Sequence, residues 1–168
     1  QTASRRGLTT GAQLGSVTAG GYDILSARLS ADVYDDAIAI NKGSNTVTPF
    51  IISTATGSAS MKAPFTIPSG SNNRLDIAFA DFDKDSIDEM IVADKSGSVN
   101  IYQYNTATNA LSASPTKLTI PGYSSDLAFA QGHLESKFAP KPPDIFVLFK
   151  NTSNQFEVGV FRFVPLGV

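Results

Sequence analysis

Residues 76–93 read DIAFADFDKDSIDEMIVA, from Asp76 to Ala93. Apolar side chains alternate up to Ala80 and run together from Met90, the pattern of two short strands. Between them stand five carboxylates in nine residues (Asp81, Asp83, Asp85, Asp88 and Glu89), in a chain with only 15 acidic residues. Like charge that dense costs stability unless a cation sits among the oxygens. Side chains at loop positions one, three, five and nine, namely Asp81, Asp83, Asp85 and Glu89, can converge on one hard cation. Calcium takes six to eight oxygen ligands in flexible geometry and suits such a set.

The same order of residues recurs on either side. Asp23 to Ile40 reads DILSARLSADVYDDAIAI and aligns without a gap at an offset of 53 (Asp23 to Asp76). A third copy begins DLAFAQGHLES at Asp126, an offset of 50 from Asp76, carries about five extra residues around Lys137 to Lys141, and ends PPDIFVLF at Phe149. Each copy continues through a turn into a third strand: NKGSNTVTPFII, DKSGSVNIYQY and KNTSNQFEVGVFRF. In DKSGSVNIYQY, Ser96-Gly97 signals the turn, and Val99, Ile101 and Gln103 fall on one face by twofold alternation. A fourth strand is expected at KAPFTIP (62–68) and TKLTIP (116–121). No sustained helical period exists, and Pro, Gly, Ser, Thr and Asn punctuate the chain throughout.

Short antiparallel strands repeating about every 50 residues imply an all-β fold, a β-propeller-like array of about three four-stranded blades. The expected units are 20–70, 71–121 and 122–168 within a single domain, 1–168. A sandwich is the competing fold, but it gives no reason for the same loop at the same place in each repeat. Three blades are fewer than a closed propeller has. The chain is therefore expected to be an oligomer or part of a longer chain.

DFDKDSIDEMIVAD resembles the calcium-loop repeat of integrin α-subunit propellers, the FG-GAP or VCBS-like family, whose pattern is D-x-[DN]-x-D-G-x-x-[DE] followed by an apolar strand. The resemblance covers about three units between Tyr22 and Phe163, of which the second alone is complete. It implies calcium ligation by Asp81, Asp83, Asp85 and Glu89 and by the backbone carbonyl of Ile87, with Asp88 pointing elsewhere. Position six is Ser86, where the family favours glycine for a left-handed turn. The Phe-Gly and Gly-Ala-Pro segments that name the family are absent. An EF-hand would need flanking helices and Glu at position twelve, which is Val92 here.

The companion loops lack the full ligand set. Arg28 and Ser30 stand where Asp81 and Asp83 do, with Asp32 and Asp36 at the later positions. Gln131 and His133 replace the first two ligands of the third loop, leaving Asp144. One calcium ion is expected, with Arg28 taking the cation's part in the first loop against Asp32 or Asp36. Asp23, Asp76 and Asp126 open the same strand in each unit, where a carboxylate can accept backbone N–H groups between blades.

Other chemistry is excluded or thin. A net charge of −2 leaves no basic footprint for nucleic acid. There is no cysteine and a single histidine, His133, so disulfides and the usual zinc sites fall away. No apolar run is long enough to span a membrane. Ser114-Pro115-Thr116-Lys117 fits S-x-x-K with no partner motif, so chance accounts for it and no enzyme is expected. Asn151-Thr152-Ser153 is a glycosylation sequon on an expected hairpin turn, meaningful in a secreted protein. The chain opens with Gln1 and not Met, and a removed signal peptide and excision from a longer parent both stay open as readings of that start. The expected role is an extracellular, or periplasmic, recognition or adhesion segment with a protein or glycan ligand. Tyr34, Tyr102, Tyr104 and Tyr123 are the aromatics available to a glycan-binding, lectin-like module. A non-catalytic appendage of a larger secreted enzyme is the other alternative.

Overall fold

The run Met90-Ile91-Val92-Ala93 has no polar position because its strand is covered on both faces. A strand with one wet face alternates, whereas one between two layers reads as a continuous apolar run. The structure, a computed structural model, describes residues 16–17, 20–32, 35–53, 58–67, 74–132 and 144–161. Among them the secondary structure is all strand, with no helix.

Three antiparallel sheets follow one another along the chain. The first holds β1 (Tyr22–Ala27), β2 (Asp36–Asn41), β3 (Thr46–Ile52), β4 (Ala59–Met61) and β5 (Phe65–Thr66). Its order is β1-β2-β3-β4, and β5 also pairs with β3. The second holds β6 (Arg74–Ala80), β7 (Glu89–Asp94), β8 (Ser98–Tyr102) and, after the small hairpin of β9 (Tyr104–Asn105) and β10 (Ala110–Leu111), β11 (Thr116–Thr119). Its order is β6-β7-β8-β11. The third is β12 (Tyr123–Gly132), β13 (Asp144–Asn151) and β14 (Phe156–Phe161), in chain order.

The second sheet thus has the four strands expected, with β11 inside TKLTIP. The first has five, because both β4 and β5 pair with β3, and β5 lies inside KAPFTIP. The third has three among the described residues.

The sheets stack through two cores. Ile38, Ile40 and Val47 of the first sheet meet Ile77, Met90 and Val92 of the second. Ile91 and Val99, on the other face of the second sheet, meet Ile145, Val147 and Phe149 of the third. Each such side chain contributes about 1.5–3 kcal/mol on full burial. β6 lies against β12, and β1 touches β6, so the first strands of the three sheets are neighbours. Asp76 ties two of them: its Oδ2 accepts the Phe129 N–H at 2.7 Å. Asp23 instead pairs with Lys42, and Asp126 lies near Lys150. Among the described residues the sheets do not close into a barrel or ring.

The hairpin between the second and third strands of every sheet uses one device. Asn41 Oδ1 accepts the N–H groups of Gly43 and Ser44, Asp94 Oδ1 those of Ser96 and Ser98, and Asn151 Oδ1 those of Ser153 and Gln155. A left-handed residue then completes each turn: Asn45 (φ 54), Gly97 (φ 77) and Asn154 (φ 64). The Asn151 sequon does lie at a hairpin turn, and its amide nitrogen donates to the Glu157 carboxylate.

Candidate metal centre

The loop 81–88 leaves the end of β6 and returns as β7. Its ends are fixed by apolar anchors: Phe82 packs into the core between the second and third sheets, and Ile87 against the core between the first and second. Two non-glycine residues bend it through left-handed backbone, Lys84 (φ 65) and Ser86 (φ 74). Ser86 therefore adopts the conformation for which the family pattern uses glycine.

This path gathers three of the expected ligands. Asp81, Asp83 and Glu89 each bring one carboxylate oxygen to within 4.8 Å of the others, a group that could hold a metal ion. Glu89 is buried, and its Oε2 accepts the Phe82 N–H at 2.7 Å. Asp81 Oδ2 accepts the Ser86 N–H at 3.2 Å, while its Oδ1 is buried with no hydrogen-bond partner. Asp83 Oδ1 accepts the Asp85 N–H at 3.1 Å, and Gln103 Nε2 donates to Asp83 Oδ2 at 3.3 Å.

Asp85 stands outside the group. Its Oδ1 accepts the Ile87 N–H at 2.8 Å, a local turn that competes with ligation. Asp88 turns away altogether. Its Oδ2 accepts the Arg28 N–H at 2.9 Å, and its own N–H donates to the Arg28 carbonyl at 2.7 Å.

Burial pushes the Glu89 carboxyl up to about 7, the Phe82 N–H works against the rise, and Asp83, Asp85 and Asp81 add to it. Burial likewise raises Asp88, opposed by the N–H and charge of Arg28. An acidic group so placed gains most from a neighbouring cation.

The first sheet repeats part of this arrangement without the ligands. Asp36 stands 53 residues before Glu89 and Leu29 53 before Phe82. Leu29 donates its N–H to Asp36 Oδ2 at 2.9 Å, as Phe82 does to Glu89. The other Asp36 oxygen accepts the Ile52 N–H at 2.7 Å. Asp144, at the start of β13, is buried in the same way. Burial raises the Asp36 carboxyl, and the N–H groups of Ile52 and Leu29 oppose the rise. Arg28 is not among the groups acting on Asp36, whereas its N–H and its charge both act on Asp88.

A cavity of about 420 Å³ opens beside the group, with Phe82, Ile101, Leu118 and Phe161 among its apolar lining and Asp83 and Glu89 at its acidic side. Gln103, expected on a face with Val99 and Ile101, is exposed and at this rim. Tyr102 and Tyr104 are buried, and Tyr123, half-buried, packs on Gly97. Tyr34, His133 and the Gln131 side chain lie outside the described residues.

No protein-family model matches the chain, and no curated protein matches it either.

Proposed function

We propose that the chain is a recognition or adhesion segment of an extracellular β-propeller of the integrin-like calcium-loop kind, with one structural calcium ion in the loop 81–89. Three consecutive antiparallel sheets, stacked face to face with their first strands adjacent, support the propeller reading. The matched bonds of Leu29 to Asp36 and Phe82 to Glu89 support the repeat.

One observation carries the calcium reading. Asp81 Oδ1 is buried and unpartnered next to Asp83 and Glu89, and a buried anion oxygen without a donor is costly. An all-oxygen donor set selects a hard cation. Asp81, Asp83 and Glu89 would hold the ion, with water in the remaining positions. Asp85 would join by giving up the Ile87 N–H, and the Ile87 carbonyl is the backbone ligand of the family pattern. The ion would neutralise the loop and fix its path.

Isothermal calorimetry tests this directly. Calcium should bind once per chain at roughly 10⁻⁴ to 10⁻³ M, the range of extracellular calcium modules. Absence of binding at millimolar calcium sinks the reading. The cavity beside Glu89 favours, as a second reading, a module for a small ligand such as a glycan. Glycan-array binding with and without EDTA separates the two.

A further inference from the structure

The second and third sheets part at one end of their shared core. Side chains directly opposite in an antiparallel pair share a face, so Ile101 and Thr116 stand with Ile91 on the side of the second sheet that meets the third. Ile91 is buried there, yet Ile101, Leu118 and Phe161 are only half-buried, and all three line the cavity of about 420 Å³. That volume lies within the range of small-molecule sites, which are mostly apolar with a few convergent polar groups. The polar groups here are acidic or neutral. Asp83 and Glu89 are joined by the Gln103 amide and by the hydroxyls of Ser112, Ser114 and Thr116, and none of the described lining residues is basic. Glu89 is 5% exposed, so its carboxylate borders a space walled largely by apolar groups. A cation seated there answers that charge with little competition from water.

The other junction shows what closes such a space. Asp36 and Leu29 of the first unit match Glu89 and Phe82, and the core beside them holds Tyr104 and Leu111 of the small β9–β10 hairpin. The Tyr104 ring lies against Phe65, with centroids 5.9 Å apart. Its hydroxyl donates to Asn109 Oδ1 at 2.7 Å, and Asn109 Nδ2 donates to the Ala63 carbonyl at 2.7 Å, which fastens the hairpin to the first unit. Burial raises the Tyr104 phenol, and the charge of Asp36 adds to the rise, so the ring stands within reach of that carboxylate. Among the described residues no such hairpin enters the junction of the second and third sheets, and the cavity stays open beside Glu89.

We propose that this cavity binds a small aromatic amine, its ring among Phe82, Ile101, Leu118 and Phe161 and its ammonium against Asp83 and Glu89. The aromatic body follows from the two phenylalanines and from Tyr104 at the closed junction, and aromatic rings also attract a nearby ammonium. The ammonium follows from two carboxylates with no basic neighbour in the lining. A carboxylate ligand would meet like charge, and a neutral sugar would leave both acids without a counter-charge. The inference gives the small-ligand reading of the cavity its chemistry and rests on that reading; it does not depend on calcium. Both cations call on Asp83 and Glu89, so each should weaken the other.

Tryptamine, tryptophol and indole-3-acetate share one body and differ in charge. The chain has no tryptophan, so indole emission reports the ligand alone. In EDTA the whole chain should bind tryptamine with a Kd on the order of 10⁻⁴ M, about tenfold tighter than tryptophol, and should not bind indole-3-acetate. Asp83→Asn should weaken tryptamine about tenfold and leave tryptophol unchanged. Thr116→Phe, which adds a ring to the lining from an exposed position on β11, should weaken both. Should either variant misfold, the unaltered chain keeps the test open: nuclear Overhauser contacts should join the indole protons to the Ile101 and Leu118 methyl groups. Calcium that binds by calorimetry yet leaves the tryptamine Kd unchanged would overturn the amine site, as would equal binding of tryptamine and tryptophol, or indole contacts elsewhere. Tighter binding of tryptophol or of a glycan would overturn the amine and keep a small-ligand cavity. Binding of no indole and no glycan would end both, whereas tryptamine binding without calcium binding would support the amine site and sink the calcium reading alone.

Discussion

Phe82 donates its backbone N–H to Glu89 Oε2 at 2.7 Å, so the last acidic residue of the loop holds its first apolar one. Glu89 is therefore part of the fold before any ion is considered. Leu29 and Asp36 make the same bond in a loop without the other ligands. Glu89 thus serves twice: its Oε2 closes the loop, and an oxygen of the same carboxylate lies within 4.8 Å of oxygens of Asp81 and Asp83.

The first prediction concerns pH in calcium-free protein. The Glu89 carboxyl stands at about 7 against an ordinary 4.5. An acid raised on folding binds its proton more tightly when folded, so its stabilising contribution is full below about 4.5 and is lost as pH rises to 7. Stability from urea unfolding should fall across that window by up to roughly 3 kcal/mol. Glu89→Gln keeps an acceptor for Phe82 without the titration and should flatten that part of the profile. Equal slopes in the two proteins would assign the titration to another group.

Calcium and Asp88 should separate in a thermal-shift series. At millimolar calcium the ion should stabilise the fold by about 0.5–1.5 kcal/mol. Magnesium should do less, because it demands a tight octahedron. Asp83→Ala should abolish the calcium shift. Asp88→Ala should keep it, yet lower stability at every calcium concentration by about 1–3 kcal/mol, since the Arg28 N–H loses its acceptor. Loss of the calcium shift in Asp88→Ala would mean that the loop register is wrong.

Asp76 bridges the second and third sheets through Phe129. Asp76→Ala should cost about 1–3 kcal/mol in urea unfolding, and Asp76→Asn, which retains an acceptor oxygen, should cost less. Equal losses would show that charge, and not the acceptor, matters at this junction.

Gly97 has left-handed backbone, and a Cβ built there would lie 2.5 Å from the Tyr123 ring. Gly97→Ala should destabilise by about 1–3 kcal/mol. Combined with Tyr123→Ala, its effect should shrink toward the backbone share of about 1 kcal/mol. Strict additivity in the double-mutant cycle would rule out the ring contact as the cause.

The strands with buried side chains were legible because burial leaves a pattern: Met90-Ile91-Val92-Ala93 has no polar residue, and Val99 and Ile101 alternate. Asp81, Asp83 and Glu89 were legible by spacing. β4, β9 and β10 were not, since two or three residues carry no period. The pairing of Arg28 with Asp88 was hidden for a different reason. Arg28 enters both of its bonds through the main chain, and main-chain groups are the same in every residue. Asp85 fits the ligand pattern by type and spacing, but spacing gave no sign that its Oδ1 accepts the neighbouring Ile87 N–H. Lys84 gave no sign of its left-handed backbone, which lysine seldom adopts.

Asp36 commits both carboxylate oxygens to the main chain, to Leu29 and to Ile52. Glu89, one methylene longer, holds Phe82 through Oε2 and also brings a carboxylate oxygen to the group with Asp81 and Asp83. In an array grown by duplication, each copy would inherit a buried carboxylate already retained for folding. Lengthening it by one carbon and recruiting two aspartates from the loop would convert a staple into the proposed ion site. Reversing those steps would erase the site and keep the staple. Under that proposal, ion dependence in such an array is a trait that copies acquire or shed independently, through a few substitutions in and beside the loop.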